Sequence, residues 1–172
     1  RRRTRRNHQI FGIQARDLSQ QNGMVVGPAD WDSVPSHYTR IFDGVDSYIP
    51  LSNFAGDMST GFTIEAWVMF RGRDTSTAVI DLGAGCGVDN ILIASELTTN
   101  NLRLYVFAAS YGYLEAVGVI TDYTWMHIAV TMGSILPDGT GFATVYVNGE
   151  AKVKGRLPAP RNVPRPSSFI GK

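Results

Sequence analysis

Carboxylates, histidines, one cysteine and a cluster of arginines are the residues that could do chemistry here, and their spacing narrows what that chemistry is. Glycoside hydrolysis needs two carboxylates flanking one bond, one as acid and one as nucleophile or base. On a strand that means acids at alternate positions. Glu65 is instead followed on its face by Trp67 and Met69, Glu96 is followed by Thr98, and Glu115 and Glu150 are isolated. His8, His37 and His127 are scattered and offer little material for a Ser/His/Asp triad. The single cysteine, Cys86, lies in Gly83-Ala84-Gly85-Cys86-Gly87 and excludes an intramolecular disulfide. It is expected in a loop as a small, semi-buried thiol, since a nucleophile would need a basic partner such as His127 that the sequence does not bring near. The same run lacks a following Lys-Ser/Thr, so it is no phosphate cradle. No catalysis is expected.

The arginines are concentrated at one end. Arg1, Arg2, Arg3, Arg5 and Arg6 supply five of sixteen basic residues, leaving eleven against fifteen acidic ones, so the remainder carries about −4. Guanidinium groups match phosphate geometry, and such an arm is a candidate contact for nucleic acid, an acidic protein surface or anionic lipid. A disordered or partner-docked tail is the plainer reading. The acid-free opening to Arg16 has the character of an organellar transit segment, whereas Arg3-Thr4-Arg5-Arg6 has that of a dibasic processing site. No apolar run is long enough to suggest a membrane span.

The elements that must position these groups read as short strands. Residues 1–16 form a basic extension with a short helical piece expected around 10–18, and 17–172 form one β domain. Phe62, Ile64, Ala66, Val68 and Phe70 alternate with Thr63, Glu65, Trp67 and Met69, the two-residue period of a strand. Trp67 on the second face suggests a strand covered on both sides, with a truncation cost of about 3–5 kcal/mol. Residues 78–82, 90–96, 102–108, 114–120, 125–132 and 142–147 read as further strands. Leu102, Leu104 and Val106 share one face, Arg103, Tyr105 and Phe107 the other, and Asn100 and Asn101 are suited to the left-handed turn before them. Asn148-Gly149 is a strong hairpin signal. The tail over 157–166 holds Pro158, Pro160, Pro164 and Pro166 and is expected to run ladder-free over the surface before a last strand at Ser168-Phe169-Ile170. Tyr111, Tyr113 and Tyr123, in or near loops, are candidates for stacking on the faces of a glycan.

Four phrases occur in order: Phe42-Asp43-Gly44-Val45-Asp46-Ser47-Tyr48-Ile49, Gly61-Phe62-Thr63-Ile64-Glu65-Ala66-Trp67-Val68, Trp125-Met126-His127-Ile128-Ala129-Val130 and Val145-Tyr146-Val147-Asn148-Gly149. Together with Asp17-x-Ser19 and Asn22-Gly23, they resemble the laminin-G-like family of concanavalin A-type jelly rolls. The resemblance implies an all-β, antiparallel two-sheet sandwich over 17–172 and a structural role for His127. It also implies a calcium site at the sandwich rim, with Asp89 and Asp81 as ligand candidates and Asp43 and Asp46 as contributors. Relatives carry a strand before the opening turn and another after the Phe-Ile-Gly phrase. The absence of the latter is expected to leave a sheet edge for a partner, with both chain ends making most of the outside contacts.

What the resemblance implies about function is a non-catalytic recognition domain for adhesion or for binding a protein or glycan, at a cell surface or outside the cell. The alternative is a structural subunit of a large intracellular or organellar assembly, anchored by the basic arm and the proline tail. One cysteine and no Asn-x-Ser/Thr sequon weigh on the side of the alternative.

Overall fold

A computed structural model of the chain describes residues 11–14 (backbone), 40–44, 46–51, 57–72 and 76–171. Among them are twelve strands and no helix: β1 (Phe11–Gln14), β2 (Arg40–Phe42), β3 (Ile49–Leu51), β4 (Phe62–Phe70), β5 (Ala78–Leu82), β6 (Ile91–Ser95), β7 (Leu102–Phe107), β8 (Tyr111–Ala116), β9 (Met126–Ile135), β10 (Thr140–Val147), β11 (Glu150–Pro158) and β12 (Ser168–Ile170). They form two antiparallel sheets, ordered β11-β10-β9-β4-β1-β2 and β3-β12-β5-β6-β7-β8. The all-β sandwich read from the sequence is the architecture observed. The arginines at 1–6, the turn at 17–23, His8 and His37 lie outside the described residues.

The core forms between the sheets because alternate positions of each strand are apolar. Val68, Phe70, Ile128, Val130, Val145 and Val147 from one sheet meet Val79, Ile91, Ile93, Leu104 and Val106 from the other, all buried. Phe62, Ile64 and Ala66 are half-buried against the same cluster. At one side the two edge strands β8 and β11 come close. A Cβ on Gly155 would lie 2.6 Å from Leu114, and one on Gly112 would lie 3.1 Å from Leu157. These glycines are what lets the edges meet.

Three expectations are corrected. Phe11–Gln14 is a strand between β2 and β4 rather than part of a helix. Gly12 is a poor helix former, and β4 offers a row of backbone partners that a helix would leave unpaired. Trp67 is 39% exposed on the outer face of its sheet, so no second layer covers it. The tail is not a loose surface strip. Leu157 and Pro158 stay in the β11 ladder opposite Gly141 and Thr140, and a proline is tolerated at the end of an edge strand. Beyond them, Arg165 is fully buried and anchors the tail to the sandwich. Residues 157–171 therefore pack on their own domain. β12 is itself flanked on both sides, by β3 and β5.

Candidate functional site

The outer face of the second sheet carries the densest group of accessible aromatic side chains among the described residues. Leu102, Leu104 and Val106 are completely buried, which forces Arg103, Tyr105 and Phe107 outward. A tight connection follows, closed by the Ala108 N–H donating to the Ser110 carbonyl at 2.8 Å, and β8 returns antiparallel. Its register sets Glu115 opposite Arg103, Tyr113 opposite Tyr105 and Tyr111 opposite Phe107. Direct cross-strand neighbours on one face interact, and here they are aromatic pairs capped by an ion pair.

The ring geometry is that of a continuous ladder. Tyr105 and Phe107 lie 6.1 Å apart with planes 19° apart, Phe107 and Tyr111 5.7 Å apart at 18°, and Tyr105 and Tyr113 5.6 Å apart at 43°. Tyr111 is 64% exposed and Tyr113 44%. The guanidinium of Arg103 sits 4.5 Å from the Tyr113 ring centre and 5.8 Å from that of Tyr105, within cation–π range. It is also paired with Glu96 at 2.7 Å and Glu115 at 2.9 Å, and donates to the Tyr105 hydroxyl, which in turn donates to Glu96. Burial works against the Arg103 charge, but hydrogen bonds to Tyr105 and Glu115 outweigh it and raise the guanidinium pKa. Burial likewise raises the Tyr105 phenol above its ordinary value. Both groups are therefore held in their neutral-pH forms, with the ladder's rim fixed by charge-assisted bonds.

Of the three tyrosines singled out from the sequence, the structure brings Tyr111 and Tyr113 together. They lie in strand β8 rather than in a loop. Tyr123 is apart from them, in the β8–β9 connection, with its N–H donating to the Phe70 carbonyl of the other sheet at 2.6 Å. Sequence reasoning missed Tyr105, Phe107 and Arg103 as members of the site. The signal was present in their shared alternation, but the β7–β8 hairpin was hidden because Ala108-Ala109-Ser110 carries no Gly, Pro or Asn to mark a turn.

The candidate metal ligands sit elsewhere, Asp81 in β5, Asp89 in the loop before β6 and Asp43 after β2 of the other sheet, and are engaged. Asp89, 5% exposed and in the left-handed region at φ 55°, accepts from Arg161 Nε at Oδ1 and from Arg161 Nη2 at Oδ2, both at 2.6 Å. Asp81 Oδ1 accepts from Asn90 Nδ2 at 2.6 Å. Asp43 Oδ1 accepts from the backbone of Asp46 and Ser47 and from the Ser47 hydroxyl, and so shapes its own turn. No three His, Cys, Asp or Glu side chains group as a metal set among the described residues. Calcium takes six to eight oxygens, and at Asp89 it would first have to displace a bidentate guanidinium.

Two other sequence candidates also find places. Cys86 is exposed rather than semi-buried, at the tip of the turn closed by the Gly85–Val88 bridge. His127 lies on the outer face of the first sheet, its ring 5.4 Å from that of Trp67 and its Nε2 3.6 Å from Glu65. Its backbone N–H donates to Asn148 Oδ1 at 2.9 Å, which ties β9 to the Asn148-Gly149 turn. Both turn residues have positive φ, 52° and 80°, as the hairpin signal requires.

The laminin-G family model, described as the concanavalin A-like lectin/glucanases superfamily, matches residues 43–172, well over half of the chain. The protein belongs to this family, and its sandwich is a binding-type domain. Comparison with curated proteins gives no match.

Proposed function

We propose that this protein is a non-catalytic recognition domain that binds a glycan by stacking it on the β7–β8 aromatic ladder. The observation that carries this reading is the set Tyr105, Phe107, Tyr111 and Tyr113, in register on two paired strands, with two rings exposed. Tyr and Phe supply wide apolar contact at low entropic cost because they have few rotatable bonds, and Tyr adds a hydroxyl for polar contact. Strands hold such a surface in place before a ligand arrives, which lowers the ordering cost of binding. The alternative, an assembly subunit anchored by both chain ends, has less support, since residues 157–171 are spent on their own sandwich.

The test is a glycan-binding screen of the intact chain beside the Tyr111→Ala/Tyr113→Ala variant. Both side chains are exposed, so the variant should still fold, losing only their ring contacts to Phe107, Tyr105 and Arg103, and its melting curve checks this. Expected is capture of at least one glycan, weakened about tenfold or more in the variant, as for truncation of a central aromatic contact. Glycan capture that the variant leaves intact would place the site elsewhere.

A further inference from the structure

Resting on that reading, we infer that the ladder accepts an uncharged polysaccharide and turns away sulfated and uronic-acid glycans. The charge inventory of the sheet leads to this. In its six strands Arg103 is the one cation, while Asp81 and Glu115 are anions and Glu96 directly follows β6. Arg103 is also committed. It is bound by Glu96 at 2.7 Å and Glu115 at 2.9 Å, with its side chain only 19% exposed. One positive charge between two negative ones leaves the rim of the ladder net negative.

An anionic sugar needs a cation with donors to give, and Nε and Nη1 of Arg103 are already engaged by two carboxylates and the Tyr105 hydroxyl, which leaves only Nη2 beside two negative charges. Displacing them would strand Glu96 and Glu115 beside the incoming charge. Asp81 adds to the same field. It lies on the cross-strand row that runs through Leu92, Tyr105 and Tyr113, on the face the ladder occupies. Among the described residues, the exposed cations lie elsewhere. Lys154 and Arg156 are on β11 in the other sheet, and Arg161 is held by Asp89. What the ladder does offer is apolar ring surface, with planes 19° and 18° apart along Tyr105, Phe107 and Tyr111 and 43° apart between Tyr105 and Tyr113. The carbon–hydrogen face of a neutral sugar needs only that surface, and it gains nothing from counterion release, so its binding should be insensitive to salt.

Affinity electrophoresis in gels containing hydroxyethylcellulose, xyloglucan, heparin or polygalacturonate, each at low salt and at high salt, tests this. The parent chain, Tyr111→Ala/Tyr113→Ala and Glu96→Gln/Glu115→Gln are run side by side. Expected is retardation by a neutral polymer that is unchanged by salt and weakened about tenfold in the tyrosine variant. Any retardation by heparin should be the same in the tyrosine variant as in the parent, since it then comes from cations away from the ladder. Removing the two carboxylates should create salt-sensitive retardation by heparin, at least several-fold above the parent. Tyrosine-dependent binding of the parent to heparin or polygalacturonate, lost at high salt, would overturn the inference and leave the ladder as the site. Retardation by none of the four that depends on the tyrosines would overturn both the inference and the ladder.

Discussion

Arg161 grips the Asp89 carboxylate with two parallel hydrogen bonds of 2.6 Å, joining the proline tail to the loop that leads into β6. Hydrogen bonding from Arg161, against the opposing effect of burial, holds the Asp89 carboxyl below its ordinary value of 3.8. A carboxylate with a lowered folded-state pKa contributes stability that is complete above the unfolded-state value and is lost as pH falls through the lower one. Arg161→Ala should therefore lower the melting temperature by a few degrees at neutral pH. The gap between variant and parent should narrow below about pH 4. A gap constant from neutral pH to pH 2.5 would mean that the pair contributes nothing through charge.

The same clamp predicts the response to calcium. With both Asp89 oxygens taken, melting curves in millimolar calcium and in chelator should superimpose. An ion that bound the folded state alone would raise the melting temperature by mass action. A clear rise, abolished in Asp89→Asn, would show that Arg161 yields to the metal.

Arg165 is fully buried, and its guanidinium donates to the carbonyls of Asp89, Val163 and Arg161 at 3.0, 3.2 and 2.7 Å. Burial lowers its pKa, with the Asp89 and Asp57 charges acting the other way. Arg165→Ala removes three bonds and leaves a cavity, and should cost about 3–5 kcal/mol in urea unfolding. Arg165→Met restores much of the volume but none of the donors, and should cost about 1–3 kcal/mol. A Met variant as stable as the parent would mean that packing alone holds the tail, and equal costs for the two variants would mean that the hydrogen bonds alone do.

Trp67 gives a test of the opposite kind. Because its ring lies on the outer face against His127, Trp67→Ala should cost about 1–2 kcal/mol, below the roughly 3–5 kcal/mol of a core aromatic. Chemical denaturation of the variant measures it directly, and a core-sized loss would mean that the face is covered.

Strand alternation made much of this fold readable. In β7 the sequence of Leu102, Arg103, Leu104, Tyr105, Val106 and Phe107 already separates core from surface, and the structure follows it residue by residue. Asn148-Gly149 announced its turn because left-handed backbone is inexpensive only for such residues. Where the chain spends energy against local preference, the sequence is silent. Leu97, not Asn100 or Asn101, takes the positive φ of 48° before β7. Arg165 is buried because backbone carbonyls from distant segments converge on it, which no local pattern records. The site was half visible for the same reason. Tyr111 and Tyr113 stood out by type, but their partners Tyr105 and Phe107 join them only through cross-strand register.

The position of β12 also shapes how the molecule comes into being. Ser168–Ile170 lies between β3 and β5, so two strands made early must keep a gap one strand wide until a segment made much later fills it. During synthesis on a ribosome, the backbone groups of β3 and of the near edge of β5 wait unpaired through all the intervening strands. Such long-range pairing slows folding, and open strand edges invite other chains. Arg165, buried just ahead of β12, ties the segment that fills this gap to the loop leading into β6, so the last-made strand is held in place from its own N-terminal side.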